Sequence, residues 1–372
     1  MRKLKSLTAL RAIAAITVVF FHTMAPTGHT FGEFGVDIFF LLSGFVIALV
    51  LDSPGMTAQR FVGDRIARIV PLYWLLTLGV FAGVLVAPSL FNSTTANAGN
   101  LLKSLFFIPY RKESGQLFPM LFVGWTLNYE MLFYAVTALA LVLTRRHRLL
   151  FASLAILAIY CVAQAWESHG VLSAFYSNQR IFEFPLGFIA YRYWKLGIRI
   201  TPQIAAVVAV AAYAWMAYLN WHGLAGAPLL YFGVPAFFVV TGCLSLEALM
   251  RGGPLTRIAL YVGDASYAIY LSHPYCVEAA RKLLPGVIHG FDAGSPVGAA
   301  AIIVVATAVG CALYALLDRP LHTGARRLLH ALPSARSRER AEAVSRAVAD
   351  TCAPVNPRTE PAHTAALYKD AS

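Results

Sequence analysis

Arg11 and His22 interrupt an otherwise apolar stretch, "LRAIAAITVVFFHTM", over residues 10–24. An ionised side chain at the centre of a membrane helix costs about 2.5–3.5 kcal/mol on insertion scales, so such residues persist where they have a partner or a task. Eleven steps of about 100° make three turns and about 20°, with a rise of about 16.5 Å. The two side chains therefore share one helix face, a guanidinium near one end and an imidazole well along it. An imidazole, with an ordinary pKa near ~6.5, can take a proton from an attacking hydroxyl or accept an acyl group itself. The spacing accommodates equally a snorkelling arginine and a histidine hydrogen-bonded to another helix.

Asp37 opens the next apolar run, and a short hairpin would bring it to the depth of His22. An Asp–His pair fixes the imidazole tautomer and stabilises its charged form; a helix-start cap is the alternative of equal weight. Glu130 in "GWTLNYEMLFY" lies deeper, where a carboxylate is costly unless paired. It is a second candidate partner for His22, or a substrate contact. Arg180 and Glu183 suit pairing with each other. His273, beside Pro274 in "YLSHPY", reads as a packing or acceptor-contact histidine. Trp125, Asn128, Tyr129, Ser43 and Ser266 suit the wall of a passage or a sugar site, although aromatic residues also anchor membrane interfaces.

A second charged group stands in "RFVGDRIARIVPLYWLL". Arg65 and Arg68 are three apart on one side of a helical turn, and Arg60 joins them. Planar guanidinium forks match phosphate oxygens, which points to a phosphorylated ligand. On their own, the same residues would serve as orientation anchors. Pro71 reads as the first residue of a helix.

The elements that must position these groups follow from composition. Of 372 residues, 58% are hydrophobic and 13% charged, and the mean hydropathy is +0.64. Soluble domains carry about 25% charged residues, so this chain is expected to be integral to a membrane. The net charge of +12 comes from basic residues in short groups between apolar runs, which excludes a groove that tracks nucleic-acid phosphates. The cysteines at 161, 243, 276, 311 and 352 are scattered, with no disulfide framework and no metal spacing. "MRKLK" before an apolar run resembles a cleaved signal, but Arg11 and the lack of a small-residue cleavage site favour a retained helix.

Apolar runs of near-spanning length fall at 7–25, 35–51, 71–88, 121–143, 149–166, 180–195, 203–220, 228–249, 258–280 and 296–317. The expected fold class is all-α: a polytopic transmembrane helical bundle of about ten spans. Lys and Arg favour alternate connections (Arg2, Lys3 and Lys5; Arg60, Arg65 and Arg68; Arg145, Arg146 and Arg148), which places both termini in the cytoplasm. The long connection 89–120 has room for an interfacial helix or a lid. Residues 1–325 read as the membrane domain and 326–372 as a basic, mostly disordered cytoplasmic tail. No internal repeat is evident, which weighs against a transporter built from inverted halves.

The ordered set "RAIAAITVVFFH", "FGVDIFFLLSGFVI", "RIAR", "GWTLNYEM", "SYAIYLSHP" and "LDRPLH" resembles the acyltransferase-3 family of integral membrane O-acyltransferases, from about residue 5 to 325. "RIVPLYWLLT" and "GWTLNYEM" are similar to its exopolysaccharide-modifying members. The resemblance implies transfer of an acyl group, commonly acetyl, from cytoplasmic acyl-CoA to a hydroxyl of a cell-envelope saccharide or its lipid-linked precursor. The implied location is the bacterial inner membrane, with membrane lipids and polysaccharide-synthesis proteins as neighbours and no metal cofactor. The family's R-x10-H pair falls on Arg11 and His22, and its R-x-x-R pair on Arg65 and Arg68. Acyl-CoA phosphates would then rest on Arg65 and Arg68, with Arg11 nearby, and the thioester would reach His22, with Asp37 and Glu130 as catalytic carboxylates. Trp125, Asn128, Tyr129, Ser266 and His273 would contact the acceptor. This scheme requires a polar passage through the bundle. The competing readings are a proton-coupled transporter or flippase using Arg11, His22, Asp37 and Glu130, and an acyltransferase for a small-molecule or lipid acceptor.

Overall fold

The computed structural model describes residues 4–28, 31–90, 94–144, 146–166, 170–224 and 226–331. Arg2, Lys3, Arg145 and the expected tail beyond Ala331 lie outside them. Thirteen α-helices make up the fold of the described residues, which contain no strand. In chain order they are α1 (Lys5–Met24), α2 (Gly35–Leu51), α3 (Ala58–Val86), α4 (Ala98–Leu105), α5 (Trp125–Leu143), α6 (Arg148–Ala165), α7 (Val171–Tyr176), α8 (Glu183–Lys195), α9 (Pro202–Trp221), α10 (Val234–Ser245), α11 (Pro254–Val287), α12 (Pro296–Leu313) and α13 (Arg319–Ala331). A single π turn leads into α10 (Leu229–Gly233), and another joins α12 to α13 (Tyr314–Asp318).

All ten apolar runs became helices, but they are not ten equal spans. Among the described residues, six helices are long and apolar enough to cross a membrane: Lys5–Met24, Ala58–Val86, Phe122–Leu143, Arg148–Ala165, Pro202–Trp221 and Pro296–Leu329. Gly35–Leu51 and Leu229–Ser245 are apolar but shorter. The 13 residues of α8 rise about 20 Å, less than the roughly 30 Å hydrocarbon core. The 34-residue α11 is long enough, but carries Arg257, Asp264, Glu278, Arg281 and Lys282. The six apolar helices make this a multi-pass membrane protein, and in hydrocarbon the helix is the form that satisfies its own backbone.

The structure corrects the reading of Pro71, which lies inside α3 rather than at its start. The helix begins thirteen residues earlier, where the Thr57 side chain accepts from the Arg60 amide. Proline removes one intrahelical bond, a loss that neighbouring polar groups offset in membrane helices. The carbonyl that Pro71 leaves without its helical donor is that of Ala67, four residues back; the Tyr267 hydroxyl ties α11 to the same stretch of α3, donating to the Ile69 carbonyl at 2.7 Å. Arg65 and Arg68 therefore project from a continuous helix.

Three close crossings hold the site-bearing helices. A β-carbon at Gly263 of α11 would overlap the Thr8 carbonyl of α1. In the α2–α8 crossing, one at Gly44 would overlap the Phe184 carbonyl, and one at Gly187 the Leu41 carbonyl. A β-carbon at Gly35 would meet the Ala14 carbonyl and the Val18 side chain. Small residues let membrane helices approach to backbone contact, where packing replaces the missing hydrophobic drive. Helix α1 is also tied at both ends. The Glu247 carboxylate accepts from the amides of Lys5 and Ser6 (2.9 and 2.7 Å), and Arg281 donates to the Thr23 carbonyl at 2.6 Å. Opposite charges thus meet the two poles of the helix dipole.

Candidate active site

Two cavities hold most of the expected site residues. The first, of about 610 Å³, is lined by Arg60, Asp64, Arg65 and Arg68 of α3, by Arg11, Ser43, Glu130, Tyr134, Ser266 and Tyr267, and by His322 and Arg326 of α13. Its guanidinium groups differ in their commitments. Arg68 pairs with Asp318 at 2.8 Å and lies over the Tyr267 ring, 5.0 Å from its centroid. Arg326 pairs with Asp64 at 3.0 Å. The Arg65 Nε is buried without a hydrogen-bond partner, and its guanidinium sits 6.0 Å from the Tyr134 centroid. Arg11 donates from Nε to the Ser266 hydroxyl at 3.2 Å. Glu130 accepts from Ser43 at 3.0 Å and from the Tyr134 hydroxyl.

The second cavity, of about 430 Å³, holds His22, with Glu33, Trp125, Tyr129, Asn178, Arg180 and the rings of Phe21, Phe118, Phe122 and Phe175. The His22 ring stacks on that of His273, with centroids 4.8 Å apart and planes 9° from parallel. Helix α11 thereby serves both Arg11 and His22 of α1, through Ser266 and, two turns later, His273. Pro274 explains the orientation of His273. Its missing amide leaves the Tyr270 carbonyl without an intrahelical donor, and His273 Nδ1 lies 2.7 Å from that oxygen. A carbonyl only accepts, so Nδ1 carries the proton and Nε2 is an acceptor. Nε2 is buried and unpartnered beside His22.

Val36 and Tyr270 belong to the walls of both cavities. The two chambers share these side chains as a wall, with the arginines lining one chamber and His22, stacked on His273, in the other.

The family profile described as "Acyltransferase domain" matches residues 4–315, which takes in the His22 chamber and all of the arginine chamber except His322 and Arg326 of α13. The chain belongs to the acyltransferase-3 family. It is 37% identical over 311 residues to the exopolysaccharide production protein ExoZ of Rhizobium meliloti (strain 1021), covering 81% of this chain and 93% of that protein. It is 26% identical over 369 residues to the acyltransferase MdmB of Streptomyces mycarofaciens, covering 86% of this chain and 91% of that protein. No solved structure matches the chain.

In this acyltransferase the pairings of the carboxylates differ from those expected. Asp37 is buried at the start of α2 and accepts from Arg180 Nε at 3.0 Å, not from His22. Arg180 also pairs with Glu33 at 3.1 Å, so its ion pairs are not with Glu183, which lies against Asp37. The reason is the close α2–α8 crossing, which carries Arg180 to the head of α2. A guanidinium offers a buried carboxylate a fixed charge and several donors, which an imidazole does not. Glu130 stands in the arginine cavity rather than beside His22. Among the residues expected at the acceptor, Trp125 and Tyr129 line the His22 cavity, and Tyr129 donates to the Phe175 carbonyl. Ser266 lines the arginine cavity instead, and Asn128 is buried in α5 and lines neither.

Sequence reasoning missed Val36, Tyr270, Asp318, His322 and Arg326. "LDRPLH" contains two of these residues, but no spacing within one segment brings α13 to the arginines of α3. Among the described residues there is no group of three or more His, Cys, Asp or Glu side chains suited to a metal ion.

Proposed function

We propose that this protein is a membrane O-acyltransferase that moves an acyl group, typically acetyl, from cytoplasmic acyl-CoA to a hydroxyl of an envelope or exported saccharide or its lipid-linked precursor. The observation that carries the reading is a pair of chambers that share Val36 and Tyr270 in their walls, one lined by arginines and the other bearing His22. Acyl-CoA is too polar to cross a bilayer, so its phosphates stay at the arginine side. Arg65 has an unpartnered buried donor there, with Arg60, His322 and Arg326 along the same wall. The thioester end reaches toward His22.

In the transfer, the thioester C–S bond breaks and an ester C–O bond forms. The hydroxyl proton passes to His22 and from there to the departing CoA thiolate. His22 acts as general base or carries the acyl group between donor and acceptor. The stacked His273 holds the His22 ring in place, and Arg180, Glu33 and the rings of Trp125 and Tyr129 form the acceptor's seat. A saccharide suits that seat, because aromatic rings and charged hydrogen-bonding groups both line it. The name of the relative ExoZ, an exopolysaccharide production protein, supports the same acceptor class.

The test is mass spectrometry of surface polysaccharide from a deletion strain complemented with wild-type protein or His22→Ala. Wild type should restore an ester mass increment, and His22→Ala at equal abundance should restore none. Full ester content with His22→Ala would remove that residue from the mechanism. A polysaccharide whose export fails, with no change in its esters, would favour the transporter reading.

A further inference from the structure

We infer that Val36 and Tyr270 form the aperture through which the acyl group reaches His22, and that its fixed width limits the enzyme to short acyl groups. The inference rests on the acyl-CoA reading above and adds a specificity determinant to it.

Both side chains are nearly fully buried, and both bound the two chambers. An acyl group travelling from the arginine side to His22 passes between them. Their neighbours leave them little room to yield. Val36 stands in the first turn of α2, directly after Gly35, where α2 meets the Ala14 carbonyl and Val18 of α1 so closely that a β-carbon would not fit. The Tyr270 hydroxyl lies 3.0 Å from Thr126 Oγ1 and donates to the Val123 carbonyl at 3.2 Å. Thr126 faces the arginine chamber and Val123 the histidine chamber, so the phenol is tethered on both sides of the opening. The ring rests edge-on against Phe39, with centroids 5.9 Å apart, and the Tyr270 carbonyl is held by His273 Nδ1.

Packed interiors resist small changes in volume. A wider group must break the phenol's hydrogen bonds or part α1 from α2. An opening of this kind selects by size, and one methylene in an apolar seat is worth about 10- to 200-fold in transfer rate.

The test uses membrane vesicles, open to the cytoplasmic face, from a deletion strain complemented with each variant. They are supplied with radiolabelled acetyl-, propionyl- or butyryl-CoA, and ester label is counted in precipitated polysaccharide. The readout is the butyryl-to-acetyl ratio within one preparation, which cancels differences in the amount of folded protein. Val36→Ala and Tyr270→Phe should each raise that ratio by about tenfold or more, the first by removing bulk and the second by cutting the tether. Val36→Ile should depress propionyl transfer relative to acetyl. Wild-type ratios in both widening variants, with acetyl still incorporated, would overturn the aperture while leaving the acyl-CoA reading in place. Equal use of butyryl and acetyl by wild type would do the same. A wild type that incorporates label from no acyl-CoA would overturn the donor reading and the aperture with it.

Discussion

Arg65 and Arg68 stand one turn apart in α3, and their partners make them unequal. Arg68 neutralises Asp318, which is almost completely buried. Removing one member of such a pair strands the other and typically costs about 3–5 kcal/mol. Arg68→Ala should therefore lower the melting temperature strongly, and the double variant Arg68→Met, Asp318→Leu should recover part of that loss. Arg65 keeps a buried Nε unpartnered. Arg65→Ala should leave stability nearly unchanged and raise KM for acyl-CoA about tenfold or more, the scale of one hydrogen bond between charged groups at about 1.5–3 kcal/mol. Steady-state kinetics alongside thermal unfolding separates the two. An unchanged KM in Arg65→Ala would return that residue to the role of an orientation anchor. His273 belongs to the same scale. Pro274→Ala would supply an amide donor to the Tyr270 carbonyl and compete with His273 Nδ1 for it. Turnover should fall more than KM for acyl-CoA changes, because the ring behind His22 loses its fixed orientation.

At the scale of elements, α1 carries both Arg11 and His22, and contacts from distant helices set its position. Its first amides have no side-chain cap of their own, and Glu247 supplies one from after α10. An N-terminal cap of this type is worth about 0.5–2 kcal/mol. Glu247→Ala should lower stability by that order and speed hydrogen exchange at Lys5 and Ser6, with α11 amides unaffected. Gly263→Val should do more damage, because its added carbons would meet the Thr8 backbone. Overpacking of this kind costs about 1–3 kcal/mol, and the variant should lose activity along with stability as α1 is pushed from α11.

At the scale of the whole molecule, pH acts on the connection between α4 and α5. Lys112 is buried there, with its ammonium donating to Thr94 at 3.0 Å, and burial pushes its pKa down to about 8. The unfolded chain keeps an ordinary lysine value near ~10.5. Between these values the unfolded state binds the extra proton, so stability rises with pH through that window; below about 8 the penalty of the buried charge is felt in full. Thermal unfolding from pH 7 to 10 should show this rise, and Lys112→Met should flatten it and raise the melting temperature at pH 7.

Within this fold, the local signals in the chain were sufficient for much. Apolar runs set where helices form, since a backbone in hydrocarbon must bond to itself. The spacings of Arg11 to His22 and of Arg65 to Arg68 set which side chains share a helix face. Tertiary structure decided the rest, because it depends on which helices touch. Gly44 and Gly187 bring α8 onto α2 and hand Asp37 to Arg180 instead of His22. Pro71 lies inside α3, in a stretch that the Tyr267 hydroxyl of α11 ties down at the Ile69 carbonyl. The stacked His273, the cations of α13 and the wall shared by Val36 and Tyr270 join residues more than two hundred positions apart. No pattern within one segment encodes such distances; they arise only when backbones settle into van der Waals contact.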